Sequence, residues 1–341
     1  MNTIKCFKGL PIEYESFLIE KYDSFITTCG YIEVHAKDYE INYMLVFNNA
    51  VLIELLIFGN CGNASTCFNS LVSIDQNIIA ECTKKLFEQY PVVHKIEIVA
   101  SYNEYAYKKA VLHSTSDNHI LDLPATMDDY FSELGQRTRK NIRNLKSKFL
   151  RDYPQVNFVT KFGIEIEESL IDKIIQLNSE RMKQKGNIPG IDNVEKNNIY
   201  QFSQYYGCVA YVEIDGVIVA GSINTILNKG IFGHVTAYDI NFSKYNVGEI
   251  CALYLIQASI ERGLTTFQFL WGESEYKKKL LAKPHLLFSY FIYRAYSFDY
   301  LFSKNKALLS RIIIRVKHSK YSKPIRDTVK FYRKRKMQMN D

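Results

Sequence analysis

The side chains best suited to chemistry fall in one passage of this 341-residue sequence, from Ile231 to Leu281. Phe232, His234, Thr236 and Tyr238 alternate, which on a β-strand places all four on one face. His234 titrates near neutrality and can take up a proton; a histidine on a strand equally serves as a hydrogen-bonded packing residue. Asp239 ends the run and can cap the following turn. Asn246-Val247-Gly248-Glu249 then opens a helix. A helix start presents unpaired N–H groups and the positive end of its dipole, which suits a pyrophosphate, and a glycine lets an anion approach the backbone. Phe267 to Trp271 reads as a buried strand that breaks at Gly272 into a charged helix start, Glu273-Ser274-Glu275-Tyr276-Lys277.

Two mixed α/β regions must position these residues. Up to about Pro124 the pattern is a sheet with one clear helix. Tyr31 to His35 and Asn42 to Phe58 are rich in β-branched and aromatic residues, with Asn48-Asn49 as a turn. Ser73 to Tyr90 has helical spacing and is stopped by Pro91, and Lys95 to Ala100 returns to strand. From Asp128 to Arg151 a helix dense in cations carries Arg137, Arg139 and Arg143. It reads as a solvated bridge between regions or as a basic wall for a phosphate-bearing ligand. The second region begins near Gln155, with a helix from Glu167 to Lys185 and a hairpin at Asp215-Gly216. A strand to Asp239, a helix from Gly248 to Arg262 and a strand from Thr266 to Trp271 follow.

At this point the sequence resembles the CelD-like and FemAB-like branch of the GNAT superfamily. Members of that branch show an aromatic strand followed by Gly-x-x-x-Tyr-Lys, and Gly272, Tyr276 and Lys277 match it. The helix with Arg137, Arg139 and Arg143, the helix with Leu177 and Arg181, the Asp215-Gly216 hairpin, Asp239 and Gly248 fall in the family's order, over roughly Tyr130 to Tyr296. Two positions depart from the pattern. Gln268 stands where the strand usually carries an acid, and a single Gly248, beside Glu249, replaces a glycine-rich loop.

The resemblance implies two tandem GNAT-like domains with mixed, mostly antiparallel sheets flanked by helices. The expected division is a degenerate first domain over 1–127, a basic linker helix over 128–154, an acyltransferase domain over 155–299 and a basic helical tail over 300–341. It further implies that an amine attacks the carbonyl of an acyl-coenzyme A co-substrate directly, without a metal. On that reading the candidate catalytic residues are His234, Asp239, Glu273 and Tyr276. His234 would take the amine proton, Glu273 orient the acceptor, and Tyr276 protonate the leaving thiolate. Thr236, Asn246, Val247, Gly248, Glu249 and Lys277 would hold the cofactor, with Lys277 paired to phosphate. Arg137, Arg139, Arg143, Arg181 and Trp271 would bind the acceptor. That acceptor is expected to be a nucleotide-linked amino sugar, since CelD-like members belong to polysaccharide pathways. An aminoacyl-tRNA donor acting on a peptidoglycan precursor, and a non-catalytic scaffold, are the competing readings.

Composition bounds these readings. With 47% hydrophobic and 23% charged residues the chain is globular rather than disordered. The run from Tyr43 to Phe58 is interrupted by Asn48, Asn49 and Glu54, so no transmembrane segment is expected, and the N-terminus lacks a secretory pattern. Cytoplasmic location is the expectation. Seven cysteines without a Cys-x-x-Cys pair, and seven dispersed histidines, suggest neither a disulfide framework nor a metal site. From Leu301 onward thirteen cations face only Asp327 and Asp341. Such a tail is a solvated run or a peripheral contact with anionic lipid, and no specific nucleic acid is expected.

Overall fold

The computed structural model describes residues 2–303 apart from 107–108, 185, 272–274, 296–299 and 302. The first half runs β1 (Thr3–Lys8), α1 (Glu15–Tyr22), α2 (Cys29–His35), β2 (Glu40–Asn48), β3 (Val51–Cys61), β4 (Ala64–Cys67), α3 (Gln76–Gln89), β5 (Lys95–Ser101) and β6 (Ala110–Asp122). Two helices follow, α4 (Met127–Glu133) and α5 (Gln136–Asp152). The same order then recurs as β7 (Asn157–Phe162), α6 (Glu168–Gln184), α7 (Asn193–Tyr206), β8 (Gly207–Ile214), β9 (Val217–Leu227), β10 (Gly230–Tyr238), α8 (Val247–Glu261), β11 (Thr266–Gln268), α9 (Glu275–Lys279) and β12 (Lys283–Tyr293). The molecule is therefore an α/β tandem repeat whose sheet is mostly antiparallel, with parallel pairing at β4–β5 and β10–β11.

All twelve strands join one sheet, in the order β1-β2-β3-β4-β5-β12-β6-β11-β10-β9-β8-β7. The last strand of each half is exchanged. β6 pairs with β11 of the second half, and β12 pairs with β5 of the first, while β6 and β12 pair with each other over ten registered residue pairs. This exchange leaves no sheet edge between the halves, so backbone hydrogen bonds hold them in fixed relation.

Local chemistry explains the hairpins. Asn49 and Ala50 take φ of 48° and 65° between β2 and β3, and Asp215 and Gly216 take 50° and 77° between β8 and β9. Two left-handed residues in a row match the twist of the flanking strands. Three expectations need correction. Tyr31 to His35 is not a strand but the body of α2, because Thr28 caps the helix by accepting from the Tyr31 N–H, and Tyr31 stacks on His35 one turn later at 4.1 Å. The single basic helix is two, since Leu134 and Gly135 are extended between α4 and α5. The helix expected from Ser73 starts at Gln76, with Asp75 as its cap.

Alternation places the second-half helices. Val209, Tyr211, Ile223, Val235 and Ala237 pack on α6. Val212 and Ala220 point the opposite way and meet Val247 and Cys251 of α8 together with Phe149 of α5. Helix α8 therefore lies between the sheet and α5, which is why ten of its residues are buried. Among the described residues no helix is long and apolar enough to cross a membrane.

Candidate active site

β10 and β11 pair over only three residues, Gly230–Phe232 with Thr266–Gln268. Beyond them β10 follows β9 to Tyr238, while the chain after β11 stays with β6, Phe269 N–H donating to the His119 carbonyl and His119 N–H to that of Leu270. The parallel strands thus part and open a cleft. The first half has no such opening, because Leu71 N–H donates to Ala100 and Tyr102 N–H to Val72 across the corresponding position. The helix starts differ in the same sense. In α3 the Asp75 carboxylate accepts from Asn77 N–H, whereas the start of α8, at left-handed Asn246, has no side-chain cap. One helix start is already satisfied by an anion of its own, and the other is not.

A cavity of about 270 Å³ lies at the parting, lined from both halves by Tyr31 and His35 of α2, Glu195 and Phe202 of α7, His234 of β10, and Trp271. The β9–β10 register shifts between Gly233 and Val235, so His234 is the extra residue of a bulge. A bulged residue is left out of the ladder and its backbone is freed for other partners. The His234 ring is bonded to Thr225 Oγ1 at 2.8 Å and meets Phe25 edge-on at 4.7 Å. Burial, with His35 nearby, lowers its pKa to about 4. The neutral ring is therefore the working state at pH 7, and its affinity for an amine proton is small. Between pH 6.5 and about 4 the unfolded chain binds a proton that the folded one refuses, so stability falls with pH across that window. A His234→Gln variant is expected to lose this part of the acid sensitivity, on the order of 1–3 kcal/mol, in urea melts at pH 7 and pH 4.5.

On the far side of β10 a second group forms. Tyr276 of α9 is hydrogen-bonded to Thr236; burial raises its phenol above the ordinary range, with Thr236 and Arg181 drawing it back, so it is protonated at neutral pH. The Arg181 guanidinium lies 5.5 Å from the centre of the Tyr238 ring. Its Nε is buried with no hydrogen-bond partner. Tyr238 in turn packs on the first turn of α8, where a Cβ on Gly248 would come within 2.8 Å of its ring. The space that the missing Cβ of Gly248 leaves is thus taken by Tyr238. Val247 is likewise buried against α5.

The remaining candidates divide. Arg137 and Lys140 share a surface hollow with Glu249 and Lys279, and Arg139 and Arg143 line a neighbouring one. The first turn of α8 is flanked by Arg181 through Tyr238 on one side and by these cations on another. Burial raises the Glu249 carboxyl, against the pull of Lys279. Asp239 accepts from Asn241 N–H at 2.9 Å and caps a short 3-10 helix, Ile240–Tyr245. Lys277 does not face a phosphate: its ammonium donates to the carbonyls of Phe269, Leu270 and Trp271 at 2.9, 3.1 and 3.0 Å, which uses all three of its protons. Glu273 and Gly272 lie outside the described residues. Tyr31, His35 and Glu195 were not singled out from the sequence, since they stand in α2 and α7, far along the chain from the motif. Among the described residues no group of three or more His, Cys, Asp or Glu could hold a metal ion.

Residues 136–278 match the model of a family described as the acetyltransferase (GNAT) domain. No curated protein matches by sequence. Among solved structures, FemX aligns with TM-score 0.60 at 9% identity, covering 85% of this chain and 97% of that one. A conserved protein of unknown function from Bacteroides thetaiotaomicron aligns with TM-score 0.55 at 13% identity, over 85% and 99%. L-PGS from Bacillus licheniformis aligns with TM-score 0.54 at 13% identity, over 88% and 97%. At these identities the likeness is one of fold.

Proposed function

We propose, from the premise that residues 136–278 belong to the acetyltransferase (GNAT) domain family and the chain is an N-acyltransferase, that its donor is an acyl-coenzyme A ester and its acceptor the amine of a nucleotide-linked amino sugar. The observation that carries the donor side is the buried, unpartnered Arg181 Nε together with the uncapped start of α8, both of which meet the Tyr238 ring. An orphaned guanidinium N–H and the positive end of a helix each suit an anion, and a pyrophosphate supplies one. The parted strands suit the rest of such a donor, because an extended amide-bearing arm can pair with the free edge of β10 as an added strand would.

In this reading the amine attacks the thioester carbonyl at the bulge around His234, where freed backbone N–H groups receive the oxyanion. The C–N bond forms and the C–S bond breaks with its electron pair going to sulfur. Tyr276 gives its proton to the thiolate and regains one from the amine nitrogen through solvent. The aromatic side chains of the cavity suit the ring of a sugar. The cations of α5, among them Arg137, Arg139 and Arg143, suit the diphosphate of a nucleotide sugar.

A second reading takes an aminoacyl-tRNA as donor. The fold likeness to FemX and L-PGS favours it, as does the cationic face of α5. Thermal denaturation separates the two. Acetyl-coenzyme A at about a hundred times its Kd is expected to add roughly 2.7 kcal/mol of stability and raise the Tm. No shift with acetyl-coenzyme A or longer acyl esters, together with binding of charged tRNA, would replace the first reading by the second.

A further inference from the structure

The charges around the cleft are segregated. Of the side chains lining the cavity at the β10–β11 parting, none among the described residues is Lys or Arg, although the chain carries a formal net charge of +7. Among the described residues Glu195 is its one carboxylate. Lys277, bonded to the backbone of Phe269 to Trp271, has all three protons engaged there. Aliphatic side chains, among them Ile191, Ile199 and Val235, share the lining with the aromatic Tyr31, Phe202 and half-exposed Trp271, and aromatic rings attract cations through their quadrupoles. His35 also lines the cavity. Its Nδ1 is 3.0 Å from the Tyr31 carbonyl, an acceptor only, so Nδ1 carries the proton and Nε2 keeps a lone pair when the ring is neutral. Burial holds the ring below its ordinary pKa, which favours that neutral state. The cations Arg137, Lys140 and Lys279 share a separate hollow with Glu249 in the first turn of α8, and Arg181 lies against Tyr238.

We propose that this cavity, built by α2 of the first half and α7 of the second, is a primary-ammonium site that takes the acceptor in its protonated form, with the Glu195 carboxylate and His35 Nε2 as hydrogen-bond acceptors and the aromatic rings as its walls. The proposal rests on the acyltransferase reading and deepens it. The acceptor class is an amine that is cationic at pH 7, gives one proton to solvent before its lone pair attacks, and bears no anionic group next to the nitrogen. Segregation of this kind also orients the reacting groups, because a pyrophosphate is repelled from Glu195 and an ammonium from Arg181. The first half, whose own strands are closed, thereby retains a task in the second half's site.

Trp271 is the only tryptophan in the chain, so its fluorescence reports occupancy of the cavity directly. Three probes of equal shape and different charge are titrated: cyclohexylammonium, cyclohexanol and cyclohexanecarboxylate. Cyclohexylammonium is expected to change the emission saturably, with a Kd at least about tenfold below that of cyclohexanol, and the carboxylate to bind more weakly still. Glu195→Gln, at a half-buried position in the first turn of α7, should raise the ammonium Kd about tenfold and leave that of cyclohexanol unchanged. Equal affinity for ammonium and alcohol, tighter binding of the carboxylate, no saturable response to the ammonium, or an unaltered ammonium Kd in the variant would each overturn the proposal. Acetyl-coenzyme A stabilisation is measured on the same preparation. If it stabilises while the ammonium fails, the acceptor proposal alone is lost; the reverse result removes the donor reading alone.

Discussion

Replacing Lys277 by methionine is expected to destabilise the protein by roughly 3–5 kcal/mol, the largest effect of any substitution considered. The side chain is buried, and burial draws its pKa down only to about 8, so it is an ammonium at pH 7. Three carbonyls in succession, of Phe269, Leu270 and Trp271, depend on it where the chain leaves the sheet and Leu270 takes a left-handed φ of 52°. Methionine fills a similar volume but donates nothing, leaving buried acceptors unpaired. Urea unfolding at pH 7 gives the stability change, and Trp271 emission reports the displaced wall of the cavity. A loss below about 1 kcal/mol would mean that solvent replaces the ammonium and that Lys277 does not hold this segment.

The second large effect is expected at Arg181, and it should appear in donor binding rather than in stability. Its unpartnered Nε contributes nothing to the folded state without a ligand, and its stacking on Tyr238 is worth only about 0.5–1 kcal/mol. Arg181→Ala should therefore leave the Tm within a few degrees of the parent. A charge-assisted hydrogen bond to a pyrophosphate is worth about 1.5–3 kcal/mol, so the Kd for acetyl-coenzyme A should rise roughly 10- to 150-fold. Arg181→Lys should recover part of the loss, since a point charge keeps the attraction but not the fork of N–H groups. Calorimetric titration of both variants decides the matter. An unchanged Kd alongside a large drop in Tm would make Arg181 a packing residue.

Much of the second half was legible in the sequence because its signals are local. The Asp215-Gly216 turn, the alternation of β8 and β9 and the apolar body of α8 each follow from residues a few positions apart, whereas the bulge at His234 divides the four β10 residues expected on one face. The helix α2 was misread because a short run such as Tyr31 to His35 supports either period. The Thr28 cap and the packing of Tyr31 on Phe25 and Phe202 decide it. At Gly248 and Lys277 the residue type alone did not fix the partner. A glycine at a helix start and a lysine after a strand say that something approaches closely. They do not say whether it is a phosphate or the protein's own Tyr238 ring and carbonyls.

The sequence by itself determined the hairpin of β8 and β9, the strand, helix, strand order of β10, α8 and β11, and the basic character of α5. These follow from periodicity, composition and spacing, which act over a few turns of chain. Only the tertiary structure decided which strands part, and that β6 and β12 change places so that one sheet joins the halves. It alone brought His35 and Glu195 to the same cavity as His234. The reason is physical. The pairing of β6 and β12 across the halves and the meeting of α2 with α7 are contacts between residues more than a hundred positions apart, selected by how the whole sheet closes, and no local pattern records them.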